Sequence, residues 1–82
     1  MTAIFVLDVP ENEGVVRVAE QDALLQVEKV GPYFRIEAGH GEIVIDRRAT
    51  GCRHAVWYSA LAGLQEARVA QHDKDALRVV RR

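Results

Sequence analysis

Five residues in one short run, Arg47, Arg48, Thr50, Gly51 and Arg53, have the types and spacing that suggest chemistry. Guanidinium groups are planar, permanently charged donors that suit phosphate and carboxylate. The run lies where a strand-like segment gives way to one with helical spacing. Free backbone donors and the positive end of a helix dipole favour an anion at such a place, whereas clustered bases are disfavoured there unless something neutralises them. Two readings follow. The cluster binds a phosphorylated ligand or a nucleic-acid backbone, or Glu42, Asp46 and the acidic N-terminal half supply its counter-charges.

The neighbouring Cys52, flanked by Arg53 and two residues before His54, sits in a setting that would lower a thiol pKa and favour nucleophilic catalysis. Against this, residues at i and i+2 of a helix do not face each other, and a small cysteine at a helix start commonly just packs. His54 and Tyr58 have the i, i+4 spacing that lets two rings touch. The three histidines, His40, His54 and His72, share no ligand spacing, so neither a metal nor a cofactor is expected. Phosphate-loop, dinucleotide-binding and nucleophile-elbow motifs are absent from the sequence.

Charge is divided along the chain. Residues 1–46 carry nine acids against three bases, a balance of −6, and residues 47–82 carry eight bases against three acids, a balance of +5. Such asymmetry signals an anionic partner for the basic half or neutralisation of one half by the other. With 82 residues, 49% of them hydrophobic and 28% charged, the composition is that of a globular chain with material for one domain, residues 1–82. Small domains have little stability in reserve, which makes a homodimer a reasonable expectation. A lone cysteine points to a reducing, cytoplasmic setting, and no membrane-spanning run occurs.

The elements that must position these residues follow from hydrophobic periodicity. Residues 3–9 are nearly all apolar and many are β-branched, predicting a strand that ends at Pro10; because both its faces are apolar, it belongs in the middle of a sheet or under a second layer. Val15 to Ala19 reads as a second short strand. Ala23–Val30, Tyr33–Ala38 and Glu42–Asp46 each alternate with period two, predicting an antiparallel meander with one wet face carrying Glu28, Arg35, Glu37 and Glu42. A two-residue turn at Gly31-Pro32 sets Val27 opposite Ile36, and a two-residue turn centred on His40-Gly41 sets Ile36 opposite Ile45, keeping the apolar sides together.

From Cys52 to about Ala67 the residues Val56, Trp57, Ala60, Leu61, Leu64 and Ala67 share one arc at 100° per residue, predicting an amphipathic helix across the meander. Its outer side would be Ala55, Ser59, Ala62 and Glu66, small enough to receive a partner. Arg68–Gln71 and Ala76–Val80 flank a four-residue loop and predict a hairpin, with a short helix capped by Asp73 as the alternative.

The expected fold is therefore α+β: an antiparallel meander of four to five strands, covered on one face by a single amphipathic helix, with a C-terminal hairpin or short helix. The expected role is a small non-enzymatic interaction module, binding a protein partner or itself. The alternatives are binding of nucleic acid or a phosphorylated ligand at Arg47, Arg48, Thr50, Gly51 and Arg53, and an enzyme with Cys52 as nucleophile.

Overall fold

The computed structural model describes all of residues 1–82 and is α+β, with seven strands in two antiparallel sheets and three helices. In chain order these are β1 (Thr2–Leu7), α1 (Glu13–Gln21), β2 (Leu25–Val30), β3 (Tyr33–Ala38), β4 (Glu42–Asp46), α2 (Arg47–Thr50), α3 (His54–Ser59), β5 (Leu61–Gln65), β6 (Ala67–His72) and β7 (Ala76–Arg81). The first sheet has the order β2-β3-β1-β5 and the second β4-β7-β6. No helix is long and apolar enough to cross a membrane.

The doubly apolar β1 lies inside its sheet, between β3 and β5, as its pattern predicts. Its inward side chains Ile4 and Val6 are fully buried. The β2–β3 hairpin also follows the expected register, with Val30 opposite Tyr33 and Val27 opposite Ile36. Gly31 adopts φ +57° there, a value that a residue without a Cβ takes at little cost.

Val15–Ala19 is not a strand but the body of α1. Over the full segment, Val15, Val16 and Ala19 are buried while Glu13, Arg17 and Glu20 are exposed, a helical stripe that five residues are too few to display. Burial of that stripe against β2, β3 and β4 outweighs the modest β preference of valine. It is α1, rather than a helix after residue 52, that covers the inner face of the first sheet.

β4 does not continue the meander. The edge of β3 that it would use is filled by β1, with Ile4 opposite Ile36, and β4 pairs instead with β7, setting Ile43 opposite Val79 and Ile45 opposite Leu77. At the β3–β4 turn Gly41 takes positive φ, 87°. The predicted helix from Cys52 to Ala67 is the largest departure. α3 stops at Ser59, whose hydroxyl donates back to the carbonyls of Ala55 and Val56, and residues 61–65 become β5 on the open edge of β1. The surface expected from Ala55, Ser59, Ala62 and Glu66 therefore does not exist as a helix face. Trp57, Ala60 and Ala67 are nonetheless buried in one hydrophobic cluster shared by both sheets and α1.

The chain passes from the first sheet to the second at Glu66, the only non-glycine residue with positive φ (49°). Its carboxylate lies 2.6 Å from the amino group of Met1, and that contact holds the carboxyl below its ordinary range. The C-terminal hairpin forms as a hairpin, with Asp73-Lys74-Asp75 as its loop. Asp73 shapes it by accepting from the amides of Asp75 and Ala76 at 2.9 and 3.1 Å, and these bonds depress its pKa.

Candidate functional site

The basic run folds as a tight corner. Asp46 accepts from the amide of Ala49 and caps α2, and Gly51, at φ +70°, ends it. The hydroxyl of Thr50 donates to the Arg47 carbonyl at 2.6 Å and accepts from the Cys52 amide at 3.1 Å, so this buried side chain is committed to the corner itself. Arg47 turns away and donates to the Lys74 carbonyl in the β6–β7 loop. Arg48 and Arg53 are exposed, and their guanidinium groups form neither hydrogen bonds nor ion pairs with the protein; their carbonyls accept from the amides of Gly51 and Trp57.

Thr50, Gly51 and Arg53 meet Pro10, Glu11, Glu13, Gly14, Arg17 and Cys52 around an open cleft of about 490 Å³ between α1 and the α2–α3 corner. Arg47 and Arg48 do not line it. Arg17, which sequence reasoning missed because its stretch looked like a strand, donates to the carbonyls of Ala49 and Thr50 at 3.0 and 3.4 Å and satisfies the end of α2. Gly14 packs so closely that a Cβ there would lie 2.0 Å from the Thr50 oxygen. The Cys52 thiol lies 4.0 Å from the Glu11 carbonyl, while the His54 ring stacks edge-on against Tyr58 at 4.8 Å. Tyr58 in turn touches His72, and His72 hydrogen-bonds the Trp57 carbonyl at 3.2 Å.

Little of the charge division is resolved by pairing across the two halves. Glu42 pairs with Arg78 at 2.9 Å, but Asp46 is occupied as a cap, Lys29 pairs with Asp8, and Arg35 pairs with Glu28 and Glu37. Of the counter-charges expected for Arg48 and Arg53, Glu42 and Asp46 are therefore engaged elsewhere, whereas Glu11 and Glu13 line the cleft with Arg53.

The outer face of the first sheet contrasts with this polar cleft. Register places Val30, Tyr33 and Leu7 side by side across three strands, and Phe5 follows with Gly63 opposite it. Leu7 is 39%, Val30 42% and Tyr33 36% exposed. Phe5 and Tyr33 make an edge-on contact at 6.3 Å, and with Ala62 and Gly63 they line a shallow apolar hollow. The rung that holds Phe5 turns polar on its β3 side, where Arg35, opposite Phe5, is bonded to Glu28, Glu37 and Gln65. The row was only half legible in sequence, because Val30–Tyr33 follows from the hairpin but Leu7 joins it through a pairing of distant segments. Compared with known protein families, curated proteins and solved structures, the chain matches none.

Proposed function

We propose that this chain is a non-enzymatic interaction module that docks a protein partner on the outer face of its first sheet. The observation that carries this reading is the row Val30–Tyr33–Leu7 with Phe5 beside it, an apolar strip left open to solvent and bordered by the ion-paired Arg35 cluster. An apolar centre with a satisfied polar rim is the anatomy of protein interfaces, and aromatic side chains commonly supply their energetic anchors. The strip is small, so the complex belongs among transient rather than obligate ones.

A photo-cross-linking residue at position 33 tests it in the source cells. The expected result is a discrete adduct that disappears when Leu7→Asp is added and does not form from a probe at Arg68 on the second sheet. Absence of an adduct at position 33, or the same adducts from position 68, would overturn the reading.

Binding of nucleic acid or a phosphorylated ligand is the second reading, supported by the unpaired Arg48 and Arg53. Its support is narrower than five clustered residues suggested, because Arg47 and Thr50 are engaged within the fold and Glu11 and Glu13 share the cleft with Arg53. Salt-sensitive binding of single-stranded DNA that is lost in an Arg48→Ala, Arg53→Ala double variant would establish it.

A further inference from the structure

The two sheets present four strand edges, and three of them are short or interrupted. β5 is five residues long and broken by a register shift opposite Phe5 and Val6; β6 carries Arg68 and a shift between Val69 and Gln71; β4 is short, runs directly into α2 and has α1 packed against it. Bulges, charges, shortness and cover are the devices by which proteins blunt edges. β2 carries Glu28 and Lys29 and has α1 against its inner face, but it is neither short nor interrupted by a register shift. It pairs with β3 over all six residues without interruption, and its other side is free.

The direction of its backbone groups can be read from neighbouring bonds. Asp8 donates to the Pro32 carbonyl at 2.9 Å, which makes 32, 34, 36 and 38 the β3-side residues bonded to β1 and leaves Tyr33, Arg35 and Glu37 to bond β2. Their partners Val30, Glu28 and Gln26 therefore face inward to the ladder. Val27 and Lys29 turn both N–H and C=O to the open edge, and Leu25 adds its carbonyl, its amide being held by Asp22 at 3.1 Å.

We infer that β2 pairs with β2 of a second copy of this chain, antiparallel about a two-fold axis at Val27, joining two first sheets into one of eight strands. Symmetry allows few registers. Centring on Glu28 would set two carboxylates directly opposite each other, which is unfavourable. Centring on Gln26 would use fewer of the outward groups. Centring on Val27 bonds Val27 to its symmetry mate and the Lys29 amide to the Leu25 carbonyl of the second copy. It also sets Glu28 opposite the neutral Gln26 of the second copy and brings Leu24, 66% exposed, beside Val30 of the second copy. An isologous contact of this kind is self-complementary. Its small area implies a weak dimer with dissociation in the micromolar range. The inference rests on backbone and register at the edge and stands apart from the docking face, whose central residues Tyr33 and Leu7 are not used.

Sedimentation of the full chain from low micromolar to near-millimolar concentration, with amide hydrogen exchange at each end of the range, tests it. A monomer–dimer equilibrium is expected, with the Val27 and Lys29 amides gaining protection on dimerisation and those of β6 gaining none. Gln26→Glu, which opposes Glu28 of the second copy twice per dimer, should weaken association by about tenfold, and Gln26→Lys should tighten it. Val27→Pro, tolerated at an edge because its N–H faces outward, should abolish dimerisation. A chain that stays monomeric throughout overturns the inference and leaves the edge to an extended segment of another protein. A dimer indifferent to residue 26, or protected at β5 or β6, overturns it equally.

Discussion

The α1–α2 junction and the outer face of the first sheet both draw side chains from distant parts of the chain, but they use them differently. At the junction the groups in contact are committed: Gly14 touches the Thr50 carbonyl, Arg17 holds the last carbonyls of α2, and the Thr50 hydroxyl is bonded on both sides. On the outer face the side chains of Leu7, Val30 and Tyr33 end in solvent. Substitution at the junction should be felt as lost folding free energy, and substitution on the face as lost binding with the fold intact.

Gly14→Ala should produce the largest effect. The added Cβ meets backbone that cannot rotate away, so α1 must shift off α2, an overpacking cost of about 2–3 kcal/mol that exceeds the helix-propensity gain of alanine. Urea denaturation reads this directly, and an unchanged midpoint would show that the junction is looser than its geometry implies.

β1 sharpens the comparison because it contributes to both the core and the face. The inward Thr2 is fully buried and its hydroxyl has no hydrogen-bond partner. Thr2→Val keeps the shape, removes the desolvated hydroxyl and should stabilise the fold by about 1 kcal/mol in the same assay. On the outward side of the same strand, Leu7→Asp should change stability by no more than about 0.5 kcal/mol, since the residue is already substantially exposed. A loss comparable to that of Gly14→Ala would mean that the face is part of the folding core and not a free surface.

The smallest effect belongs to the β6–β7 loop. Its folded-state pKa being depressed by the amides of Asp75 and Ala76, Asp73 contributes stability that is present above the unfolded value near 4 and is lost as pH falls through the folded value. Asp73→Asn should therefore be less stable than the parent at neutral pH, with the difference closing in acid below that value. A difference constant across that range would assign the loop's order to Gln71 and backbone geometry instead.

The contacts legible in the sequence are those closed by short connections. The Gly31-Pro32 turn and the period-two runs beside it suffice for the register of β2 and β3, because a short turn leaves few pairings that keep the apolar faces together, and the β-branched residues flanking Asp73 favour the last hairpin without excluding the short helix read as its alternative. The apolar character of both faces of β1 likewise places it inside a sheet. For the candidate site, the types at Thr50, Gly51 and Arg53 were readable, but not the arrival of Arg17 beside them from α1 or the departure of Arg47 towards Lys74.

Pairings across long separations had no local signature. Leu61 and Leu64 have helical spacing and lie opposite the inward Val6 and Ile4 only through the register shift in β5, and residues 61–65 became a strand because β1 offered an unfilled edge whose amides and carbonyls needed partners. For the same reason β4 left β3, already paired on both sides, for β7. Apolar periodicity determined most of the side chains that are buried, the exposed Leu64 of the predicted arc excepted; competition for strand edges, a property of the assembled chain, determined which elements carry them.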